Sequence, residues 1–184
     1  MGGESFSRAL NAPQRCPGCL GTQPARTLHR VSRRAEIQLS PDERRELIDS
    51  ERIVVVSTVG PRGWPHSMPL WYVPRDGEIW IYTYSKSQKV RNLERDPRAT
   101  LLIETGHEYG ELRGTEVEAE AEIHSDLETV FELAKELTAR YAGGAQVDAA
   151  AAEALRTQAR KRVAIRFEAK RVATWDHRKL GGRY

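Results

Sequence analysis

The segment from Tyr82 to Leu93 holds the residue types best suited to binding an anion. It reads Tyr-Thr-Tyr-Ser-Lys-Ser-Gln-Lys-Val-Arg-Asn-Leu and joins a predicted strand to a predicted helix through a polar loop. Free backbone amides at the start of a helix, with the helix dipole behind them, favour a phosphate or a carboxylate. Hydroxyl and ammonium groups are supplied by Thr83, Ser85, Ser87, Lys86 and Lys89. The alternative is an ordinary helix cap, formed by Ser85 with Gln88 or by Ser87 alone, beside solvated lysines.

An aromatic segment lies just upstream and reads as a strand that contains a proline, Met68-Pro69-Leu70-Trp71-Tyr72. Because proline has no N–H to donate, it indicates an edge strand or a bulge, and bulges often lie beside active sites. Leu70, Trp71 and Tyr72 could form an apolar wall for a planar ring system. Ordinary packing in the core is the alternative for these three side chains.

The surrounding pattern predicts a small antiparallel barrel with inserted helices as the scaffold for these segments. Ser40-Pro41-Asp42-Glu43 is a strong helix start, and this helix should run to about Ser50 and bury Leu47 and Ile48. Further helices are predicted over 87–95, from the capping box at 125–128 to Gly143, and over 148–160. Strands are predicted over 53–59, 66–73, 78–83, 99–104, 109–123, 163–167 and 172–175. Short strands joined by hairpins and separated by helices indicate an α+β fold with six to seven strands.

The predicted strand over 109–123 has the clearest alternation in the chain. Apolar residues occupy every second position from Val117 to Ile123, and glutamates occupy the positions between them. Extending the apolar face backward places polar residues on the inner side, namely Tyr109, Glu111, Arg113 and Thr115. Either a bulge at Gly114 flips the register or these residues line a polar site, and the pattern favours the bulge.

The first 38 residues read as an appendage to a folded domain over 39–184. Residues 1–34 are rich in Arg, Pro, Gly and small polar residues without sustained periodicity, so we expect a disordered basic tail. Residues 1–36 carry a net charge of +4, whereas the remaining 148 residues carry −1. The formal net charge of +3 therefore belongs to the tail. A nucleic-acid partner is not expected, because the body lacks a basic stripe.

Both cysteines of the chain lie in this predicted tail, as Cys16-Pro17-Gly18-Cys19. A CxxC turn can place two thiolates on one metal ion, but a structural zinc site needs four ligands and only His29 is nearby. A redox pair would be expected to open a helix next to a strand. Two solvent-exposed thiols are the simplest interpretation, so no metal site is predicted. A body without cysteines, and without an apolar run of bilayer length, predicts a cytoplasmic protein that makes no membrane contact.

The run from Arg52 to Glu104 resembles the pyridoxamine 5′-phosphate oxidase-like split-barrel superfamily, which binds FMN or a deazaflavin. The matching pieces are Pro65-His66-Ser67-Met68-Pro69-Leu70-Trp71-Tyr72, Ile79-Trp80-Ile81-Tyr82-Thr83, and Ser87-Gln88-Lys89-Val90-Arg91-Asn92-Leu93 followed by Asp96-Pro97-Arg98. Looser similarity continues through Arg113-Gly114 to the segment over 174–179. The resemblance is closest to the branch that uses the deazaflavin coenzyme F420. It implies a split β-barrel homodimer with two cofactor sites at the subunit interface.

Carried over by position, the resemblance implies ten cofactor-binding residues: Met68, Pro69, Leu70, Tyr82, Thr83, Ser87, Gln88, Lys89, Tyr109 and Trp175. Lys89 would hold the cofactor phosphate with help from Ser87, Gln88 and the Thr83 hydroxyl. Residues 68–70 would present backbone groups to the pyrimidine side of the ring. Tyr109 occupies the position at which the partner subunit reaches the cofactor in the family, and Trp175 belongs to the segment that closes the site.

The chain also departs from the pattern of true pyridoxamine-phosphate oxidases. These enzymes carry Arg and Lys where this chain has Ser67 and Tyr72, and a further Arg where it has Gln88. Fewer fixed cations argue against oxidation of pyridoxamine phosphate and against tight binding of FMN. Other cations are available for a longer anionic tail, such as the oligoglutamate of the deazaflavin: Lys86, Arg91 and Arg95.

The expected function is therefore F420-dependent hydride transfer to a small conjugated or unsaturated acceptor. An FMN-binding flavoprotein of the same fold, or a non-catalytic protein that holds a cofactor or haem, is the alternative. No catalytic residue is assigned, because in hydride transfer the cofactor supplies the chemistry and the protein positions the reactants. A proton donor, where one is needed, could be Tyr72, Tyr109 or solvent, whereas His66 and His177 are interpreted as structural.

Overall fold

Seven strands form one antiparallel sheet in the residues that the computed structural model describes, 33–143 and 148–182. The strands are β1 Val54–Val59, β2 Pro65–Leu70, β3 Val73–Arg75, β4 Glu78–Tyr84, β5 Arg98–Thr105, β6 Arg113–His124 and β7 Arg162–Asp176. Their order across the sheet is β2-β1-β5-β6-β7-β4-β3, and each neighbouring pair is antiparallel. The sheet curls into a half-barrel, which confirms the predicted α+β split-barrel fold.

The helices in these ranges are α1 Arg33–Glu36, α2 Pro41–Ser50, α3 Gln88–Arg95, α4 Leu127–Tyr141 and α5 Ala149–Ala159. Helix α2 begins as predicted, because its capping box is complete. Ser40 Oγ accepts a bond from the Glu43 amide at 3.2 Å, and the Glu43 carboxylate accepts one from the Ser40 amide at 2.7 Å. Leu47 and Ile48 are buried, as their spacing predicted.

The curled sheet has an apolar layer on each face. The inner layer joins side chains of α2 and α3, such as Leu47 and Val90, to the inward residues of the strands. The outer layer lies where α4 and α5 cover β3, β4 and β7, and it includes Val130, Phe131 and Leu133. The two layers fix α3 and the end of β4 in one place, which is where the predicted anion site lies.

The alternating glutamates of β6 lie on the outer face, where three of the four pair with basic residues of the neighbouring β7. Arg171 bonds to Glu118 at 2.7 Å, and Lys170 lies 3.2 Å from the Glu120 carboxylate. Such cross-strand pairs of opposite charge support the register of a sheet. The predicted alternation over Val117 to Ile123 is therefore confirmed, although Ala121 and Ile123 are only partly buried.

The predicted bulge at Gly114 is wrong. Strand β6 pairs with β5 in unbroken register from Arg113 onward, and the irregularity lies in β7, where Lys170 is the extra residue opposite Glu118 and Ala119. A glycine is needed at position 114 because a Cβ there would come within 2.3 Å of the Trp175 ring. The inward-facing side of β6 therefore extends back to Thr115, whose side chain is buried.

Several predicted boundaries also need correction. The predicted strand over 66–73 is two strands, because β2 ends at Leu70 and the next residues leave the sheet before β3 begins. The predicted strands over 163–167 and 172–175 are the single strand β7. Residues Tyr109–Glu111 form a 3₁₀ turn instead of the start of β6. Helix α4 is capped by Asp126, whose carboxylate accepts from the Thr129 amide at 2.9 Å, and not by Ser125.

The last residues of the predicted tail belong to the folded part of the chain. Helix α1 spans Arg33–Glu36, and the Ile37 carbonyl accepts a bond from the Asp176 amide at 2.7 Å. The prediction for residues 1–32, including Cys16 and Cys19, lies outside the described residues. The described part of the chain contains no helix long and apolar enough to cross a membrane.

Candidate functional site

The predicted anion-binding segment lies at the junction of β4 and α3, where a three-residue turn connects the strand to the helix. The amide and the hydroxyl of Ser85 both donate to the Lys161 carbonyl, at 3.1 and 3.0 Å. The amide of Ser87 donates to the Tyr84 carbonyl at 3.1 Å. These bonds tie the turn to the start of β7 and to the end of β4, so the first amides of α3 are held in a fixed position.

Lys89 is the central cation of this junction. The residue is only 7% exposed, and its ammonium donates to the hydroxyl of the buried Thr83 at 2.9 Å. No carboxylate of the described residues lies within ion-pair distance of the Lys89 ammonium. Burial lowers the pKa of Lys89, as it must for a cation that leaves water without a counter-ion. A buried charge of this kind is costly unless an anion reaches it, so the position suits a phosphate.

Ser87 offers an unused donor at the same helix start. It occupies the N-cap position of α3, yet its side chain makes no capping bond. The Ser87 hydroxyl oxygen is buried and has no hydrogen-bond partner among the described residues. The Gln88 side chain is also not part of a cap, because it donates to Asn92 at 2.8 Å. An ordinary cap does not account for this helix start, whereas an incoming oxyanion would give the Ser87 hydroxyl an acceptor.

A chain of polar side chains connects α3 to the first two strands. From Gln88 the chain continues through Asn92, whose amide donates to the Thr58 hydroxyl at 2.9 Å. Thr58 donates in turn to the His66 carbonyl at 3.4 Å. Because Asn92 and Thr58 are buried, these bonds fix α3 against β1 and β2. The segment with Lys89 and the segment with Met68 are therefore held in one framework.

The predicted ring-binding residues Met68, Pro69 and Leu70 lie on β2, which is an edge strand. In the described sheet β2 pairs with β1 alone, so one side of its backbone is not engaged in a ladder. This is the position that the proline predicted. Met68 is 40% exposed and Leu70 is partly buried, both on the inner face with His66. The role of residues 68–70 at a planar ring, which the resemblance implies, stays a prediction.

The predicted aromatic wall forms only in part, because Tyr72 belongs to the core. Its side chain is fully buried, and its hydroxyl donates to the carbonyls of Ile48 and Glu51 at 2.6 and 2.9 Å. Burial raises the pKa of the Tyr72 hydroxyl well above its ordinary value. Tyr72 is therefore excluded as a proton donor. The neighbouring Trp71 is exposed on one face and stacks on Tyr141 with the other, the ring centroids 4.4 Å apart.

Tyr109 and Trp175 form a second group at the far end of β6 and β7. Trp175 covers Gly114, and Tyr109 lies against the imidazole of His177, with ring centroids 4.7 Å apart. Nδ1 of His177 is 2.9 Å from the Tyr109 carbonyl oxygen, which supports the structural role predicted for this histidine. Thr83 pairs with Val163, so about 40 Å of strand separates that end of β7 from Trp175. One chain alone does not bring the ten predicted residues together.

Sequence reasoning missed two contributors to the site. Asn92 and Thr58 carry the buried link between α3 and β2, although neither was singled out. Helical spacing could have found Asn92, because it lies three residues after Lys89 on the buried face of a short helix. The predicted site residue Tyr82, by contrast, packs in the outer layer under α4 and α5, on the face of β4 opposite to Thr83. Its ring centroid lies 4.7 Å from the Arg162 guanidinium.

The curled seven-stranded sheet, with α3 beginning directly after β4, defines the class of small split-barrel proteins. The pyridoxamine 5′-phosphate oxidase family matches residues 40–176, so the chain belongs to this family. Two of the positions that differ from true oxidases have structural roles here, because the Ser67 hydroxyl lies 2.8 Å from that of Ser57 and Tyr72 is in the core. None of the curated proteins matches the chain.

Solved structures of related chains have the same fold. The conserved hypothetical protein Rv2991 from Mycobacterium tuberculosis is 39% identical with a TM-score of 0.76, over 82% of this chain and 93% of that one. An F420 reductase is 22% identical with a TM-score of 0.56, over 73% of this chain and 98% of that one. A FAD-binding protein from Mesorhizobium loti is 17% identical with a TM-score of 0.53, over 74% and 94% of the two chains. The last two comparisons show the fold alone.

Proposed function

We propose that this protein is an oxidoreductase that binds the deazaflavin coenzyme F420 and transfers hydride to a small conjugated or unsaturated acceptor. The observation that carries the proposal is the buried Lys89, which has no carboxylate partner among the described residues, next to the unused hydroxyl of Ser87. Both groups suit the phosphate of a flavin-type cofactor. The family includes oxidoreductases, and one of the structural relatives is an F420 reductase.

The preference for the deazaflavin over FMN rests on the number of cations near the phosphate. This chain has Ser67 and Gln88 at positions where true oxidases of the family carry arginine, and Gln88 is already bonded to Asn92. Lys86 and Arg91 are exposed beside the same helix start, where they could hold a longer anionic tail. Arg95 is less available, because its guanidinium donates to the Val59 carbonyl.

The functional unit of this proposal is a homodimer. The Lys89 partner Thr83 pairs near the start of the long strand β7, and Trp175 lies near its end, so the two residues are far apart along this strand in one chain. A second copy could bring its own Tyr109 and Trp175 over that cofactor. Sedimentation equilibrium of the full chain should therefore give twice the monomer mass, and a monomer would contradict this part of the proposal.

The chain itself has three tasks in the reaction. A bound deazaflavin would supply the hydride chemistry. The edge of β2 at residues 68–70 would orient the ring, while Lys89 and Ser87 would hold the phosphate. Tyr109 and Trp175 of a second copy would cover the ring and exclude water. With the Tyr72 hydroxyl bonded inside the core, a proton would come from Tyr109 or from solvent.

A titration with two cofactors tests the proposal. The full-length chain is titrated side by side with F420 and with FMN, and binding is followed by tryptophan fluorescence. We expect tighter binding of F420, an affinity that rises with the length of its oligoglutamate tail, and loss of that dependence when Lys86 and Arg91 are both changed to alanine. Tighter binding of FMN would identify a flavoprotein instead. Binding without turnover, seen by stopped-flow mixing of the reduced complex with candidate acceptors, would identify a non-catalytic cofactor-binding protein.

A further inference from the structure

A cavity lies beside α2, away from the β4–α3 junction. Its volume is about 750 Å³, which is within the range of small-molecule sites. Much of its wall is apolar and comes from α2 with its preceding segment, the β3–β4 hairpin and β7: Leu39, Pro41, Ile48, Pro74 and Val172. None of the ten residues predicted for the cofactor lines this cavity.

The cavity contains one partly buried cation, Arg44 of α2. Its Nε donates to the hydroxyl of Thr115 at 3.2 Å, and Thr115 is fully buried on the inner face of β6. No carboxylate of the described residues lies within ion-pair distance of this guanidinium. Its two terminal nitrogens likewise have no hydrogen-bond partner in the described part of the chain. Burial lowers the pKa of Arg44.

Two other arginines of the fold have carboxylate partners. Arg166 bonds to both oxygens of the Glu78 carboxylate at 2.6 and 2.7 Å, and Arg178 bonds to Asp176 in the same bidentate way. A guanidinium that leaves water without a carboxylate keeps its desolvation cost uncompensated. At Arg44, Nε is bonded to the Thr115 hydroxyl, and the two terminal nitrogens are available to an external anion.

The remaining charges of the cavity do not satisfy Arg44. Arg45 bonds to Asp42 at 2.8 Å on the exposed side of α2. Asp49 and Asp76 also line the cavity, but both residues are exposed, so water screens their charge. Arg44 is thus the inner charge of a cavity with an apolar wall.

We propose that this cavity binds a small molecule in which a carboxylate is attached to an apolar body. The terminal nitrogens of Arg44 receive the carboxylate, since a planar guanidinium matches a carboxylate in a bidentate geometry. The apolar wall formed by Leu39, Ile48 and Val172 receives the body. The site is separate from the cofactor phosphate at Lys89, and its occupation does not depend on the proposed redox function.

Isothermal titration of the full-length chain with 3-phenylpropionate, and with the uncharged 3-phenylpropanamide, tests the proposal. We expect saturable binding of the carboxylate, and at least about tenfold weaker binding of the amide, because a hydrogen bond to a charged group is lost. Arg44→Gln should weaken binding of the carboxylate by a similar factor. Arg98→Gln is the control, because Arg98 is an exposed arginine that pairs with Asp96 and does not line this cavity, and we expect it to leave the affinity within about twofold of wild type.

Two further variants keep the result interpretable. Arg44→Lys retains the charge but loses the bidentate geometry, so it should bind the carboxylate with an affinity between those of wild type and Arg44→Gln. Lys89→Met should bind it as wild type does, because Lys89 does not line this cavity. The proposal is overturned by equal affinity for the acid and the amide, by the absence of saturable binding, or by loss of binding in Lys89→Met or Arg98→Gln.

Discussion

Replacing Lys89 with methionine separates the function of this side chain from its effect on stability. Methionine keeps most of the volume of the buried chain and removes the ammonium. If Lys89 binds the cofactor phosphate, the variant loses a hydrogen bond to a charged group, which contributes about 1.5–3 kcal/mol. The affinity for F420 should then fall roughly tenfold to a hundredfold. Fluorescence titration at constant ionic strength measures this change.

The same substitution should not destabilise the cofactor-free protein. Lys89 is 7% exposed and bonds only to the Thr83 hydroxyl among the described residues, so its removal relieves an uncompensated charge. Relief of that desolvation outweighs the lost bond to the neutral Thr83 hydroxyl, and we expect a gain in the free energy of unfolding of up to about 2 kcal/mol at pH 7. Denaturant melts of both proteins without cofactor provide the measurement.

The pH dependence gives an independent check with a definite sign. Because burial lowers the pKa of Lys89 below its ordinary value of 10.5, the unfolded chain holds this proton at a pH where the folded protein has released it. The wild type therefore gains stability as the pH rises from its folded pKa toward 10.5, and Lys89→Met should lack that gain. Lys135→Met, which removes a partly exposed lysine paired with Glu132, is the control. Unchanged F420 affinity in Lys89→Met would refute the assignment of the phosphate site.

Three further substitutions test the framework. Tyr72→Phe should lower the free energy of unfolding by about 0.5–1.5 kcal/mol in denaturant melts, because the hydroxyl bonds are lost while Arg140 still donates to both carbonyls, and it should leave turnover unchanged. Gly114→Ala should cost about 1–3 kcal/mol and alter the near-ultraviolet circular dichroism, since the new methyl group meets the Trp175 ring. Asp176→Asn should reduce the decrease in the free energy of unfolding that the wild type shows at acid pH. The Arg178 guanidinium holds the pKa of Asp176 below its ordinary value of 3.8. This interaction stabilises the wild type above pH 3.8, and the stabilisation is lost as the pH falls through the lowered pKa. Melts at pH 7 and pH 3 provide the check.

Local patterns predicted those parts of the fold whose causes are local. The capping box at Ser40 depends on residues three apart, so its sequence specifies the start of α2 without help from the rest of the chain. The proline in the Met68 segment similarly predicted an edge strand, because the missing N–H excludes a central position. The β4–α3 junction was recognised for the same reason, since hydroxyl and ammonium side chains around a helix start lie within one short segment.

The errors fall where distant residues decide the outcome. Gly114 invited a bulge by its type, but its role is set by Trp175, which lies opposite it on β7. Tyr72 looked like part of an exposed aromatic wall, whereas its hydroxyl is bonded to carbonyls at the end of α2. No periodicity in the sequence encodes either contact. Lys170 is a further case, because a bulge at this residue extends β7 through a segment that reads as two strands.

The distribution of paired and unpaired charges connects the fold to its candidate sites. On the outer face of β6 and β7 the glutamates meet arginine or lysine, so these charges stabilise the sheet and are not available to a ligand. Lys89 and Arg44 differ, because each is withdrawn from water and bonded only to a threonine hydroxyl among the described residues. Neutral acceptors hold a cation in place without neutralising it, which costs stability in the empty protein. Anion binding at each of these two positions would offset that cost.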